Sequence, residues 1–379
     1  EPGERVRFWF LNLERRKRKK GRESDALRAP DCAAMAMKAR LLAAAATCVC
    51  LAAAASAFDV PTVAFEEGFS PLFGDGNLVR ARDDRAARLL LDRRSGSGFI
   101  SSDYYLHGFF SASIKLPRDY TAGVVVAFYL SNGDVYEKTH DELDFEFLGS
   151  RWGGQWRVQT NVYGNGSTSR GREERYLLPF DPTLEAHRYS ILWAPTHIIF
   201  YVDDTPIREV VRHPGMGGDF PAKPMAVYAT IWDGSAWATE GGKYKVNYKY
   251  APFASDFSDL SLRGCRVADP AALRLRSDAA GGYDLLGLMT ADYAVMTPQK
   301  RAAMRAFRAR QMTYTVCYDA ARYAAGPFPE CDNSDEERGT FWAWGESKTV
   351  VMKTRGRGRR GRGSRAGAGA RGRAGAASC

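Results

Sequence analysis

The sequence contains many short segments rich in valine, isoleucine and aromatic residues, and this feature constrains its fold most. Clear examples between residues 58 and 260 read "GVVVAFYLSN", "QWRVQTNVYG", "RYSILWAP", "PMAVYATIW" and "KVNYKY". Glycine, proline, aspartate and asparagine separate these segments, as expected for strands joined by turns. The segment "HIIFYVDDTPIREV" is typical of two strands joined by a polar hairpin turn. Many strands without an intervening helical period predict an all-β sandwich or jelly roll.

One helix is expected after these strands, within a C-terminal extension over residues 261–346. In "TPQKRAAMRAFRARQM", residues 297–312, Thr297 can cap the helix and Pro298 suits its first turn. The next segment, "TYTVCYD", predicts one more strand. Residues 347–379 consist largely of arginine, glycine and alanine, so we expect a disordered basic tail that forms no core.

The net charge of +10 comes from the two ends of the chain rather than from its body. Residues 1–34 hold 10 Lys/Arg and 6 Asp/Glu, and residues 347–379 hold 10 Lys/Arg and no acidic residue. The body, residues 58–346, holds 32 basic and 38 acidic residues. The charge of the whole chain therefore says little about what the body binds.

Residues 35–57, "MAMKARLLAAAATCVCLAAAASA", indicate a secretory signal peptide, because a basic start and an apolar stretch end in Ala-Ser-Ala before Phe58. The apolar stretch is too short and alanine-rich for a good transmembrane span, and a buried alanine-rich helix is the alternative. Residues 1–34 are then not expected in the mature protein. An Arg-Gly-rich tail can bind RNA, but secretion removes the chain from RNA, so we expect neither a nucleic-acid nor a membrane partner.

The segment "THDELDFEFLGS", residues 139–150, places carboxylates at every second position. Because side chains alternate between the two faces of a strand, Glu142, Asp144 and Glu146 share one face with His140. The leucine and two phenylalanines between and after them point to the other face, which suits an apolar core. Like charges in a row repel each other, so stability alone would not favour this pattern.

Two carboxyl groups are what hydrolysis or transfer at a glycosidic bond requires. One group protonates the leaving oxygen, and the other attacks the anomeric carbon or activates water. Retaining enzymes hold the two groups about 5–5.5 Å apart. Residues four apart on a strand have Cα atoms roughly 13 Å apart, so Glu142 and Glu146 would have to lean together. A calcium site and a solvated outer face are the alternatives for such an acidic row.

At this motif the sequence resembles the xyloglucan endotransglucosylase/hydrolases of plant cell walls, which belong to glycoside hydrolase family sixteen. Residues 140–149, "HDELDFEFLG", match the family hallmark H-D-E-[IL]-D-F-E-F-L-G. Similar segments continue over about residues 58–331 and include "QTNVYGNGSTSRGREERY", "TIWDGSAWATEGGKYKVNYKYAPF" and "MTYTVCYDAARY". The resemblance implies a concanavalin-like β-jelly roll, in which Glu142 is the nucleophile, Glu146 the acid/base and Asp144 a helper between them. The basic tail is similar to that of the subgroup with extended C-termini.

The resemblance also implies sugar-binding positions and a reaction. The positions are Gln159, Thr160, Asn161, Gly171, Arg172, Glu173, Ala236, Trp237, Gly241 and Arg322. For Trp237 and Trp232 core packing is the alternative to stacking on a sugar, and for Arg322 the alternative is a surface salt bridge. The implied enzyme needs no cofactor or metal. It cleaves the β-1,4-glucan backbone of xyloglucan with retention and transfers the glycosyl-enzyme to another xyloglucan chain or to water. Predominant hydrolysis and a non-catalytic carbohydrate-binding jelly roll are the alternatives.

The cysteines and one sequon agree with secretion. Cys317 and Cys331 enclose a short loop and are predicted to pair. The resemblance implies a second bridge from Cys265, but residues 266–284 contain no cysteine. Asn165 begins the Asn-Gly-Ser sequon and is the expected glycosylation site. We expect the protein in the apoplast and cell wall, where acidic pectin could retain the basic tail.

Overall fold

The computed structural model describes residues 58–268, 270, 285–319, 322–323 and 328–331. The predicted signal peptide and the segment before it lie outside the described residues, and so does the basic tail.

Within the described residues the chain forms fifteen strands and three α-helices. The strands are β1 (Phe69–Phe73), β2 (Leu78–Arg80), β3 (Ala86–Leu91), β4 (Ser97–Ser101), β5 (Tyr104–Lys115), β6 (Val124–Ser131), β7 (Glu142–Leu148), β8 (Arg157–Tyr163), β9 (Glu174–Leu177), β10 (His187–Trp193), β11 (His197–Val202), β12 (Thr205–Val211), β13 (Ala226–Asp233), β14 (Phe253–Val267) and β15 (Met312–Thr315). The helices are α1 (Phe65–Gly68), α2 (Leu285–Thr290) and α3 (Pro298–Gln311).

The strands form two antiparallel sheets, which confirms the predicted all-β jelly-roll sandwich. One sheet has eight strands in the order β1-β4-β13-β6-β7-β8-β9-β15. The other has seven strands in the order β12-β11-β10-β5-β14-β3-β2. The apolar faces of the two sheets pack against each other. For example, the rings of Phe145 on β7 and Phe200 on β11 meet edge to face, with centroids 5.3 Å apart.

A second apolar cluster covers the outer face of the seven-stranded sheet. Phe109 and Tyr201 project from this sheet and are buried under Leu288 of α2 and under Tyr293. Phe58, the first described residue of the body, completes this cluster. The seven-stranded sheet is therefore buried on its inner face and on the part of its outer face formed by β5, β10 and β11, while the outer face of the eight-stranded sheet carries the site.

The predicted hairpin and helix are confirmed. β11 and β12 pair across a tight turn at Asp203 and Asp204, both with positive φ, which matches the twist of paired strands. α3 begins after Thr297, whose hydroxyl accepts a hydrogen bond from the Lys300 amide at 3.2 Å. No helix in the described part of the chain is long and apolar enough to cross a membrane.

The C-terminal extension joins the body at several points. β14 runs continuously across residues 260 and 261, where the sequence analysis placed the start of the extension. β15 pairs with β9 at the edge of the eight-stranded sheet. The predicted disulfide between Cys317 and Cys331 is present, with Cα atoms 5.5 Å apart. Cys265 lies on β14 and is partly buried.

One expected strand is wrong. The segment "KVNYKY" forms a loop that ends in a 3₁₀ turn at Tyr248–Tyr250. The Asn247 side chain accepts a hydrogen bond from the Lys249 amide at 3.2 Å, and this local bond favours a turn over an extended chain.

Candidate active site

The acidic row lies on β7, the fifth strand of the eight-stranded sheet. The predicted alternation of faces is confirmed, since Leu143, Phe145 and Phe147 are fully buried in the core between the sheets. The carboxylates of Glu142, Asp144 and Glu146 project from the opposite face into one open cavity. Like charges therefore share a cleft rather than a solvated outer face.

This cavity, which we call the cleft, has a volume of about 380 Å³, within the usual size range of ligand pockets. Five strands of one sheet supply its walls. The lining residues are Phe73, Ala127, Tyr129, Glu142, Asp144, Glu146, Tyr163, Thr230 and Trp232.

Aromatic side chains stand on both sides of the acidic row. Tyr129 on β6 stacks on Tyr228 of β13, with ring centroids 4.9 Å apart and planes 10° apart. Trp232 lines the cleft, whereas Trp237 is half-buried and packs against Trp232 at 6.0 Å between centroids. Such rings can stack on sugar faces while carboxyl and hydroxyl groups bind sugar hydroxyls.

Sequence analysis missed most of this aromatic wall. Tyr163 could have been found, because it lies two residues beyond Asn161 on β8 and therefore faces the same side. Tyr129 and Thr230 lie on other strands, and their place beside the acidic row depends on strand order and register. No local sequence pattern gives these.

Burial dominates the electrostatics of the acidic row. Burial raises the pKa of Asp144 well above its usual range, and the charges of Glu142 and Glu146 raise it further. Burial also raises the pKa of Glu142, while hydrogen bonds from Ser131 and Asp144 and the charge of His140 oppose the rise. The hydrogen bond between Asp144 and Glu142 raises the pKa of Asp144 and lowers that of Glu142, so it favours a protonated Asp144 beside an ionised Glu142.

Glu146 has an environment suited to an acid catalyst. Burial raises its pKa to about 7, and the charge of Glu173 adds to the rise, while a hydrogen bond from Gln159 opposes it. Burial is thus a larger cause of the raised pKa than the charges of the neighbouring carboxylates. A carboxyl group with a pKa near neutrality can both donate and accept a proton during one reaction cycle.

A hydrogen-bonded chain orients Glu146. Arg175 Nε donates to Gln159 Oε1 at 2.6 Å, and Gln159 Nε2 donates to Glu146 Oε2 at 2.5 Å. Because a guanidinium group only donates, it fixes the amide oxygen of Gln159 towards Arg175 and the amide nitrogen towards Glu146. Sequence analysis identified Gln159 but missed Arg175, which lies opposite Gln159 on β9.

The predicted binding residues Glu173 and Arg322 lie together. The Arg322 guanidinium donates to both carboxylate oxygens of Glu173, at 2.7 and 2.5 Å. Arg175 Nη2 donates to the same carboxylate at 3.1 Å. The salt bridge considered as the alternative for Arg322 is thus present. The side chain of Arg322 still leaves 44% of its surface exposed, enough to contact a ligand.

None of the ten predicted sugar-binding residues is among those that line the cleft, and two of them are held elsewhere by other partners. Thr160 lies opposite Phe145 on the core side of β8, and its hydroxyl accepts a hydrogen bond from Arg208 Nη1 at 2.9 Å. Because side chains alternate between the two faces of a strand, the Thr160 side chain cannot make the expected contact with a sugar in the cleft. Arg172 is fully buried between Asp219, at 3.3 Å, and Glu330, so it holds the C-terminal segment rather than an open site.

Four further predicted positions lie on β8 or in loops near the cleft. Asn161 is buried opposite Asp144 on the cleft side of β8. Any side chain at Gly171 would lie within 2.8 Å of the Tyr163 ring, so glycine allows this ring its place in the cleft. Ala236 is exposed in the loop after β13, and Gly241 in the same loop has a positive φ of 66° with open space beside it.

Comparisons with known proteins agree with this geometry. The family model described as "Glycosyl hydrolases family 16" matches residues 65–250, and "Xyloglucan endo-transglycosylase (XET) C-terminus" matches residues 287–331. "Probable xyloglucan endotransglucosylase/hydrolase protein 30" of Arabidopsis thaliana is 59% identical over 79% of this chain and 86% of its own length. Protein 27 of that series, also from Arabidopsis thaliana, is 61% identical over 70% of this chain and 78% of its own length.

Among solved structures, the Bacillus licheniformis beta-glucanase is 21% identical, with a TM-score of 0.42 over 55% of this chain and 96% of that chain. The sequence relatives are similar over most of their own length. On that similarity, the chain belongs to the xyloglucan endotransglucosylase/hydrolase family.

Proposed function

We propose that the chain cleaves the β-1,4-glucan backbone of xyloglucan with retention and transfers the new end to another xyloglucan chain. One observation carries this proposal. Glu146, half-buried and with a pKa of about 7, shares one cleft and one strand face with Glu142, whose ionised form Asp144 favours. An acid and a nucleophile are the pair that a retaining transfer needs.

In the first step Glu142 attacks the anomeric carbon of a backbone glucose while Glu146 protonates the departing glycosidic oxygen. The glucose becomes bonded to a Glu142 oxygen, and one chain leaves with its free 4-hydroxyl. Asp144, which donates to Glu142 before the attack, orients the attacking carboxylate. Gln159 and Arg175 hold the Glu146 carboxyl in place for proton donation.

In the second step Glu146, now ionised, accepts a proton from the incoming nucleophile. If this nucleophile is the 4-hydroxyl of another xyloglucan chain, the two chains are joined. If it is water, the polymer is hydrolysed. The balance depends on how firmly the acceptor side of the cleft holds a sugar against water.

We assign the sugar contacts to groups that face the cleft. Trp232 and Tyr129 are assigned to stack on sugar rings, and Asn161 to hydrogen-bond sugar hydroxyls. Glu173 and Arg322, joined to each other, are assigned to an outer subsite reached by a longer chain. Thr160 and Arg172 are excluded from direct contact by their burial on other faces.

One assay tests the proposal. Purified protein is incubated with xyloglucan polymer and a labelled xyloglucan oligosaccharide, and label incorporation is compared with loss of polymer length. We expect incorporation to exceed chain loss. Glu142→Ala should reduce both by about a thousandfold or more, because the nucleophile is lost.

The matched control is Glu185→Ala, which removes an exposed carboxylate on another part of the surface. It should leave both rates unchanged. An unchanged rate in Glu142→Ala would contradict the catalytic assignment. Chain loss without label incorporation would show a hydrolase instead of a transferase. No reaction of any kind by the unaltered protein would favour a non-catalytic carbohydrate-binding jelly roll.

We further propose that the protein acts in the cell wall and that its basic tail is retained there by acidic pectin. Support comes from charge alone, since residues 347–379 hold 10 Lys/Arg and no acidic residue while the body is mildly acidic. Removal of residues 347–379 should lower the salt concentration that elutes the enzyme from isolated walls. Identical elution with and without the tail would contradict this role.

A further inference from the structure

Phe58 is held by polar groups at the turn between β11 and β12. Its backbone N–H donates to Asp204 Oδ2 at 3.2 Å. Its carbonyl accepts a hydrogen bond from Arg188 Nη1, also at 3.2 Å. Arg188 Nη2 forms an ion pair with the same Asp204 oxygen. Both backbone polar groups of one residue are thus bound by two side chains of the seven-stranded sheet.

The side chain of Phe58 is anchored as firmly as its backbone. Its ring lies edge to face with those of Phe109, Tyr201 and Tyr293, at centroid distances of 5.8, 5.2 and 6.0 Å. Only 7% of the residue is exposed. The Lys300 ammonium group lies over the ring at 5.1 Å. These ring contacts fix the position of the Phe58 nitrogen relative to Asp204.

Asp204 has hydrogen-bonding capacity that this arrangement leaves unused. Its second oxygen, Oδ1, is buried and has no hydrogen-bond partner among the described residues. A buried carboxylate oxygen without a donor is unfavourable. An amide nitrogen can offer one hydrogen to Asp204, whereas an ammonium group offers three hydrogens and a positive charge.

We propose that Asp204 is the binding site for the α-ammonium group of Phe58, which forms when the bond between Ala57 and Phe58 is hydrolysed. Water supplies an oxygen to the Ala57 carbonyl, which leaves as a carboxylate, and the released Phe58 amine takes up a proton. The small residues Ala55, Ser56 and Ala57 provide the sequence that a signal-peptide-cleaving protease requires.

The surrounding charges allow this ion pair. Arg188 already pairs with Asp204, and its main-chain N–H donates to the neighbouring Asp203 at 3.0 Å. Lys300 is occupied by Asp292, 3.2 Å away. Asp203 also lies 2.7 Å from His187 Nδ1, so Asp204 alone faces the Arg188 guanidinium and the new ammonium group. Processing therefore adds a charge-assisted contact that fastens the start of the mature chain to the sandwich.

The test is a comparison of two N-termini in two backgrounds. One form of the full mature chain begins at Phe58, and the other keeps Ala57, so that Phe58 retains an amide nitrogen. Each is made with Asp204 and with Asp204→Asn, since asparagine tolerates the positive φ of this turn. In the Asp204 background, keeping Ala57 should lower the melting temperature by about 2–4 °C. In the Asp204→Asn background the two forms of the protein should have the same melting temperature.

The control is Asp59→Asn, an exposed carboxylate next to Phe58, in which keeping Ala57 should lower the melting temperature as much as in the unaltered protein. An equal effect of Ala57 in the Asp204 and Asp204→Asn backgrounds, or no effect in either, would overturn the proposal. A second readout is the N-terminal sequence of protein secreted by plant cells. It should begin at Phe58, and any other first residue would overturn the proposal.

Discussion

The protonation of Glu146 depends on the side chains that surround it. Burial raises its pKa, whereas the Gln159 hydrogen bond and the Arg175 charge both favour the ionised carboxylate. The opposing effects leave a pKa of about 7. Activity requires Glu146 protonated and Glu142 ionised. Activity should therefore fall as pH rises through about 7, and fall again at lower pH as Glu142 takes up a proton.

We predict that Arg175→Met moves the basic limb of the kcat/KM profile to higher pH. Without the guanidinium group, the Glu146 carboxylate loses a nearby positive charge and a fixed hydrogen-bond donor, so its protonated form persists to higher pH. Arg301→Met, which removes a cation paired with Glu209 far from the cleft, is the control and should leave the limb in place. A shift to lower pH, or the same shift in both variants, would contradict this role of Arg175.

For single residues, the sequence predicted the strand face of a side chain better than it predicted the burial and charge around that side chain. Alternation on one strand correctly separated Glu142 and Glu146 from Phe145. It could not give the cause of the raised pKa of Glu146, because burial comes from neighbouring strands that are distant in sequence. The same alternation, applied to β8, would have shown that Thr160 points away from Gln159.

Among the elements, β9 connects both sheets to the C-terminal helix through one carboxylate. Glu174 on β9 is almost fully buried and forms ion pairs with Arg308 of α3 and Arg208 of β12. Tyr176 also donates to it. Burial alone would raise the pKa of Glu174, but the two arginines outweigh it and hold the pKa at about 2.

We predict that Glu174→Gln lowers the free energy of unfolding at pH 7 by about 3–5 kcal/mol, because the buried Arg208 and the half-buried Arg308 both lose the charge of Glu174. Glu209→Gln, which breaks the more exposed pair with Arg301 on the same helix, should cost about 1 kcal/mol or less. Chemical denaturation of the two variants measures both values. Equal losses in the two variants would contradict a special role for Glu174.

The ion pairs of Glu174 also make the stability of the protein depend on pH. Because the folded pKa of Glu174 is depressed below the unfolded value near 4.5, its contribution is complete above that value. The contribution is lost as pH falls from about 4.5 towards 2. The Glu174→Gln variant should lack this part of the acid-induced loss of stability.

At the element scale, local signals decided which predictions succeeded. The capped start of α3 and the Asp203–Asp204 turn are determined by residues next to each other in sequence. "KVNYKY" has strand-like composition, but none of the described strands pairs with it, and Asn247 stabilises a turn instead. Composition alone does not show whether a neighbouring strand is available.

In the whole molecule, the C-terminal segment packs against the sheet that carries the cleft rather than forming a separate unit. β15 extends the sheet that carries the cleft, and Arg322 and Glu330 reach back to Glu173 and Arg172. The disulfide from Cys317 to Cys331 holds these two contacts together. The order of fifteen strands in two sheets was beyond sequence patterns, because long-range pairing decides it, and only the sandwich class and jelly-roll type were predicted.

Glycosylation at Asn165 stays a prediction, and the structure places this residue where a glycan would fit. Asn165 is exposed in a tight turn with a positive φ of 52°, and its backbone N–H donates to Asp141 at 2.7 Å. Protein secreted from plant cells should lose mass on treatment with an N-glycan-removing enzyme. Asn165→Gln should abolish that loss, and a persisting loss would contradict the assignment.

The central claim is that Glu142 forms a covalent bond to the sugar while Glu146 handles the proton. It is tested most directly with Glu146→Ala and a xyloglucan oligosaccharide that carries an activated leaving group. This leaving group departs without an acid, whereas the second step lacks its base, so the intermediate should accumulate. Mass spectrometry of the digested protein should find the sugar on the peptide that contains Glu142. A sugar on any other residue, or turnover without an adduct at the rate of the unaltered enzyme, would contradict the account.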